Sequence, residues 1–361
     1  MRTHGRGGWI SGVTLDLLRP RKARPGDRIA VLSPSFAAPG VYPEVHEQAM
    51  RRLAEVTGLV PVEYPTTRRV GATPQARAAD INAAFADPEV RAILAVVGGD
   101  DQITVIPHLD ADLPRADPKP FLGTSDNTNL HHWLWALGVA SFYGGSSQVH
   151  LGPGPAVDDI HARSLRAALF TGERLEITDP GESEDVGIDW ADPRALESFG
   201  EREPTEPWSW YGPRRRVTGI TWGGCLEVIE WILTAGRFPF PPEALRGGVL
   251  LIETSEELLP ARQVGRIVRS LGERGILGAV DAVLVARPPV SDLTRRPAAE
   301  DRARLREQQR DTVVEVVTGY NPQAVVCVGV PFGHTRPQWI LPHGGPVTVD
   351  GGERRICADY R

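Results

Sequence analysis

Apolar residues along this 361-residue chain fall into short runs separated by amphipathic stretches, and that alternation sets the first expectation. Residues 28–33 (RIAVLS) read as a short buried strand, followed by a Pro/Gly loop and an amphipathic helix over 43–56. A strand at 59–63, a helix at 74–85, the apolar run 92–97, a Gly-Gly turn and a helix leading toward Leu109 continue the rhythm. Residues 120–123 predict a further strand. The stretch 127–137 predicts a helix, with Leu130, Trp133, Leu134 and Leu137 on one face. Strands and helices in strict alternation predict a parallel sheet covered by helices.

After a predicted helix at 158–170 the pattern breaks. Residues 178–216 are rich in Glu, Asp, Pro and Trp with little periodicity, so they read as a connector and partly a functional loop. The rhythm returns with a strand from 217 to 222, a helix after Gly223-Gly224, a strand at 248–252 and a helix at 260–271. Strands at 279–285 and 324–328 flank a charged helix at 299–317. The expected architecture is α/β throughout: an N-terminal extension (1–20), a doubly wound parallel-sheet domain (21–172), a connector with an aromatic loop (173–216) and a C-terminal α/β domain (217–361). No internal repeat interrupts it.

Composition narrows the function classes. Forty basic against 46 acidic residues give a net charge of −6 with both signs scattered, so no basic face predicts a nucleic-acid partner. Cys225, Cys327 and Cys357 are far apart and lack the spacing of zinc or redox sites, which fits a reducing cytoplasm. The apolar stretch near Trp9 to Val13 is broken by Ser11 and Gly12, which argues against a secretory signal, and no run approaches a membrane span. No ligand spacing such as HExxH implies a metal, and no organic cofactor is implied. The adjacent pair His131-His132 on a helix would point its rings in different directions.

Four places could carry chemistry. Gly123-Thr-Ser125-Asp126-Asn-Thr128 puts a hydroxyl on a turn between a strand and a helix, although Ser125 or Asp126 could equally serve as a helix cap. Gly98-Gly99 directly follows a strand, where it could bring backbone N–H groups close to a ligand or serve only as a turn. Glu253 ends the run 248–252 at the carboxyl edge of a parallel strand, where open α/β sheets place ligands. His334 lies among turn formers in Pro331-Phe-Gly-His-Thr-Arg-Pro337.

Taken together these places resemble the LD-carboxypeptidase and microcin-immunity serine peptidases. The resemblance is carried by Arg24-Pro-Gly-Asp-Arg-Ile-Ala-Val-Leu-Ser-Pro-Ser35, the strand with Gly98-Gly99, Phe121-Leu-Gly-Thr-Ser-Asp126, Leu250-Leu-Ile-Glu253 and Phe332-Gly-His334. It implies Ser125 as nucleophile, His334 as general base and Glu253 as the carboxylate that orients the imidazole, with Gly99 and Asp126 N–H groups as the oxyanion hole. It also implies an active site in the crevice between the two domains, a small-molecule substrate and a homodimer. A glutamine-amidotransferase-like site would need a cysteine where Ser125 stands.

Two substrate classes compete within the resemblance: muropeptides ending in D-alanine, and acyl nucleotides of the microcin-immunity kind. Trp190, Trp208, Trp210 and Tyr211, followed by Arg214, Arg215 and Arg216, resemble the aromatic loop of the second branch, so Trp208 and Trp210 are expected to bind substrate. The same aromatics could instead pin the loop to the surface. Cys225 stands where the family usually has an Asn after Trp222-Gly223-Gly224, so it is a substrate-contact candidate with altered preference, or a small core residue. A non-catalytic binder of peptidoglycan fragments or acyl nucleotides would use the same crevice.

Overall fold

The computed structural model describes residues 17–361. The N-terminal extension apart from 17–20, with the stretch near Trp9, lies outside the described residues. Two large sheets organise the rest. The first has the spatial order Leu341–His343, Ser141–Tyr143, Phe121–Gly123, Val90–Ala95, Arg28–Leu32, Val60–Glu63. Its five N-terminal strands are parallel, in the order 2-1-3-4-5. Winding reverses between strands one and three, and the loops leaving their carboxyl ends diverge to open a crevice. Those loops are 33–37 and 96–101. The buried pattern explains the strands: Ile29 to Leu32 and Ala92 to Ala95 are enclosed on both faces, as parallel strands between helical layers require.

The second sheet runs Arg174–Ile177, Arg355–Asp359, Pro346–Asp350, Arg216–Cys225, Val249–Glu253, Ala282–Ala286, Val325–Val330, Ser209–Tyr211. Its central four strands are parallel and its outer strands antiparallel. The chain does not divide cleanly between the sheets, because Leu341–His343 returns to pair with Ser141–Tyr143 in the first. Cys225 and Glu253 end neighbouring strands in register. The helix expected toward Leu109 is instead two tight turns, Gln102–Thr104 and Ile106–His108, with Pro107 in the second.

The irregular connector is fixed by charge rather than by regular structure. Asp185 pairs with Arg287 at 2.8 Å and Arg306 at 2.9 Å, and all three are nearly buried. Glu203 pairs with Arg302 at 2.5 Å, and Glu206 with Arg287 at 2.9 Å. Arg302 and Arg306 belong to the helix Ala299–Tyr320, so the acidic composition of 178–216 matches the basic face of that helix. Removing one partner of such a buried pair strands the other and costs about 3–5 kcal/mol. Glu184 and Arg336 exchange backbone hydrogen bonds at 2.8 and 2.9 Å, which lays the connector beside the loop bearing His334.

His131 and His132 project from one helix toward different sheets. His131 Nε2 donates to the Gly123 carbonyl at 2.9 Å and its Nδ1 accepts from Ser141 Oγ at 2.7 Å; His132 Nε2 donates to the Gly223 carbonyl at 3.0 Å. Burial pushes His131 down to about 3, and His132 and His161 to about 4. These groups stay neutral in the fold while the unfolded chain takes up protons below about 6.5, so stability is full above that pH and falls as pH drops toward 4. Each costs about 2 kcal/mol at pH 5, partly offset by the raised carboxyls of Asp126, Glu184 and Glu227, which bind protons more readily folded than unfolded. We expect the melting temperature to fall by about 10 °C from pH 7 to pH 5. A calorimetric Tm flat across that interval would refute this account.

Candidate active site

Ser125 lies on the turn that leaves the strand Phe121–Gly123 and enters the helix Thr128–Ala136. Its φ of 61° puts a non-glycine residue in the left-handed region, at a cost of about 1–3 kcal/mol that the surroundings must hold. A plain capping role does not account for it, because the first-turn Leu130 N–H is taken by Gln102 Oε1 at 3.2 Å and not by the Ser125 or Asp126 side chain. The Asp126 carboxylate points instead into the crevice wall. It accepts from Ser35 Oγ at 2.6 Å, the Gln102 N–H at 2.9 Å and Asn129 Nδ2 at 2.9 Å, tying the turn to the loop 33–37 and to the tight turn that follows the loop 96–101.

Gly98 faces the turn so closely that a Cβ there would lie 2.8 Å from Ser125 Oγ and 3.2 Å from the Asp126 nitrogen. Only glycine leaves that space open. Gly99 has φ 153°, and a Cβ on it would strike Ser35 Oγ at 2.0 Å. The Gly-Gly pair is therefore required by close approach, and it borders the volume between Ser125 Oγ and the Asp126 N–H.

Glu253 is 1% exposed and accepts from two donors. His334 Nδ1 donates to its Oε2 at 2.6 Å, and the Tyr143 hydroxyl donates to its Oε1. Tyr143 Oη in turn accepts from the Ser125 N–H at 3.3 Å, which links the serine turn to the carboxylate. Burial disfavours the His334 imidazolium, but the charges of Glu253 and Glu256 outweigh it and push the pKa up to about 10. His334 Nε2 has no hydrogen-bond partner, while the Glu256 carboxylate lies 3.2 Å from it. Ser125 and His334 thus share a cavity without being hydrogen-bonded to one another, as free sites often are before substrate arrives.

That cavity measures about 620 Å³, an ordinary size for a small-molecule site. Residues from both sheets and from the connector line it, including Gly98, Gly99, Ser125, Trp190, Glu256 and His334. Trp190 and Tyr42 meet edge to face at 5.5 Å on its wall.

Three residues expected to touch substrate lie elsewhere. Trp210 is on the edge strand Ser209–Tyr211, paired with Cys327, and Trp208 packs with it against the core; both dock the connector rather than line the cavity. Cys225 is 1% exposed and packs with Val228 and Ile232. Its Sγ donates to Glu227 Oε2 at 3.2 Å, and burial raises its thiol pKa well above the ordinary value, so it is neither a ligand contact nor a nucleophile. Arg215 pairs with Asp281 at 3.3 Å, outside the cavity lining.

Sequence reasoning missed Tyr143 and Glu256. Tyr143 ends the three-residue strand Ser141–Tyr143, too short to leave a periodic signal. Glu256 follows Glu253 by one turn of chain, and that proximity to the strand end was the available clue.

Comparison with known proteins gives the family and the fold. Residues 29–144 match the model of the LD-carboxypeptidase N-terminal domain, and residues 218–349 match that of the C-terminal domain. A carboxypeptidase-family protein of Vibrio cholerae is 27% identical over 333 residues, covering 90% of this chain and 92% of its own. The microcin C7 self-immunity protein MccF of Escherichia coli is 26% identical over 284 residues, covering 78% and 77%. MccF solved with glutamyl sulfamoyl guanosine superposes with a TM-score of 0.81 at 23% identity, over 96% of this chain and 99% of that one, which establishes the shared two-domain α/β fold.

Proposed function

The chain belongs to the LD-carboxypeptidase family, and from that premise we propose that it is a serine peptidase in which Ser125, His334 and Glu253 act as nucleophile, base and orienting carboxylate. The observation that carries the reading is the 2.6 Å bond between His334 Nδ1 and buried Glu253, beside a serine held at positive φ in the same cavity. Serine attacks poorly unless a base takes its proton, and the imidazole Nε2 is the atom to take it. Glu253 fixes the tautomer with Nδ1 protonated and stabilises the imidazolium that forms. The N–H groups of Asp126 and Gly99 would receive the oxyanion as the carbonyl becomes tetrahedral, and their positions would be set before reaction by the Ser35, Gln102 and Asn129 contacts.

For the substrate we propose an acyl nucleotide or a related small amide of the cytoplasm, cleaved by a homodimer. MccF structures hold glutamyl sulfamoyl guanosine and aspartyl sulfamoyl adenosine, and an MccF-like protein of Streptococcus pneumoniae holds AMP. Here Trp190 and Tyr42 offer aromatic faces on the cavity wall for a base to stack on. Purified protein should be incubated separately with an aminoacyl sulfamoyl adenosine and with a muropeptide ending in D-alanine. We expect release of the nucleoside sulfamate; release of D-alanine alone would move the enzyme to the cell-wall branch.

A further inference from the structure

One phenol joins the parts of the site that come from different sheets. Tyr143 ends the strand Ser141–Tyr143, where its neighbours in register are Gly123 on one side and Leu341 on the other. Gly123 leads into the turn that bears Ser125, and Leu341 opens the strand that follows the His334 loop. The ring is fully buried and crosses to the second sheet, where its hydroxyl meets Glu253 at the end of Val249–Glu253. The Gly223-Gly224 pair, for which the triad itself has no use, admits it. Gly224 has φ 132°, and a Cβ on it would lie 2.8 Å from Tyr143 Cε2 and 2.8 Å from Thr128 Oγ1. A side chain there would drive the ring away from Glu253.

The hydroxyl makes two bonds with opposite roles. It donates its proton to Glu253 Oε1 and accepts the Ser125 N–H at 3.3 Å. Burial and the Glu253 charge push the phenol pKa well above its usual value, so the hydroxyl keeps the proton that it donates. The two oxygens of Glu253 are thus divided, Oε1 to Tyr143 and Oε2 to His334 Nδ1. The remaining groups that face this site do not relieve the carboxylate. Glu227 and Glu256 carry the same sign, and Glu227 is itself occupied by Ser255 at 2.9 Å and by Cys225 Sγ at 3.2 Å. His131, whose ring lies 5.3 Å from that of Tyr143, and His150 are kept neutral by burial.

We propose that Tyr143 is a positioning residue that holds the serine turn of the first sheet to the orienting carboxylate of the second and stabilises anionic Glu253 while His334 carries no charge. The role rests on the hydrolase reading above. Before His334 loses its proton, an imidazolium balances the buried carboxylate; afterwards only the neutral donors Tyr143 and His334 Nδ1 remain. The phenol therefore contributes most in the second state, which is the one able to take a proton from Ser125. Without it that state is disfavoured, and the base is harder to prepare.

Tyr143→Phe keeps the ring and removes only the hydroxyl. Two measurements test the role: kcat and KM on whichever of the two substrates above the unmodified protein cleaves, and the pH titration of the His334 ring by NMR in substrate-free protein. We expect kcat to fall about 10- to 100-fold, the range for one hydrogen bond to a charged group, with KM changed less than about twofold. Loss of the His334 proton should move up by about one pH unit. A ring-fluorinated tyrosine at the same position is a stronger donor and should move it down, a reversal of sign that a packing role would not produce. That variant decides the question by itself if Tyr143→Phe does not fold. A His334 titration that Tyr143→Phe leaves in place or moves down, or a KM that rises while kcat holds, would overturn the proposal and leave the hydrolase reading intact. An upward shift in a protein that cleaves neither substrate would instead overturn the catalytic reading and leave the tie between Tyr143 and Glu253 standing.

Discussion

Ser125→Ala is expected to lower kcat by about 10⁴ to 10⁶-fold while leaving the fold and substrate affinity nearly unchanged. Removing Oγ removes the nucleophile itself, and no neighbouring group can replace it. Cys225 is buried with its thiol pKa raised and does not line the cavity. The backbone should tolerate the change, because alanine keeps the Cβ and so meets the same constraint at φ 61° that serine already meets. The contacts holding the turn do not use Oγ: Ser125 N–H reaches Tyr143, its carbonyl accepts from Thr128 Oγ1 at 2.7 Å, and Asp126 anchors the rest. Stability should change by less than about 1 kcal/mol. Single-turnover kinetics with thermal denaturation on the same sample provide the check, and hydrolysis within tenfold of the unmodified protein would exclude Ser125 as nucleophile.

Much of the architecture was legible because buried parallel strands leave short continuous apolar runs bounded by turn formers. Residues 28–33, 92–97 and 248–252 became Arg28–Leu32, Val90–Ala95 and Val249–Glu253 for that reason. The antiparallel outer strands were not legible. Arg174–Ile177 and Arg355–Asp359 alternate exposed and enclosed residues over four or five positions, and their pairing joins segments nearly two hundred residues apart. For the site, residue types at strand ends were readable, since Glu253 closes a strand and Ser125 and His334 each follow one. Their neighbours were not: Tyr143 reaches Glu253 across 110 residues of chain, a contact made only where the two sheets meet. The tryptophans failed differently. Trp190, Trp208 and Trp210 share one composition-rich stretch, and only the edge strand Ser209–Tyr211 separates those that dock from the one that lines the cavity.

Replacing Glu253 by Gln should reduce kcat/KM by about 10³ to 10⁴-fold even though it makes His334 easier to deprotonate. Burial alone would favour neutral imidazole; the Glu253 charge is the largest influence opposing it, with Glu256 next, and together they hold the pKa at about 10. Without that charge, the pKa falls and a larger share of the enzyme carries a neutral imidazole near pH 7. Activity nevertheless drops, because the amide can present its NH₂ to Nδ1 and so stabilise the tautomer with the proton on Nε2, the wrong atom for a base facing Ser125. The imidazolium formed during attack also loses its counter-charge in a buried setting. The limb of the kcat/KM profile that rises with pH as His334 loses its proton should therefore move to lower pH while its plateau falls. Stability follows the same group with a definite sign. A histidine raised above its unfolded value of about 6.5 stabilises the fold fully below that pH and loses the contribution as pH rises through about 10. Glu253→Gln should remove that loss, flattening Tm against pH between 7 and 10, since Tyr143 can still donate to the retained oxygen. An unshifted pH profile at reduced rate would mean that Glu253 is not what sets the protonation of His334, and the triad would have to be drawn without it.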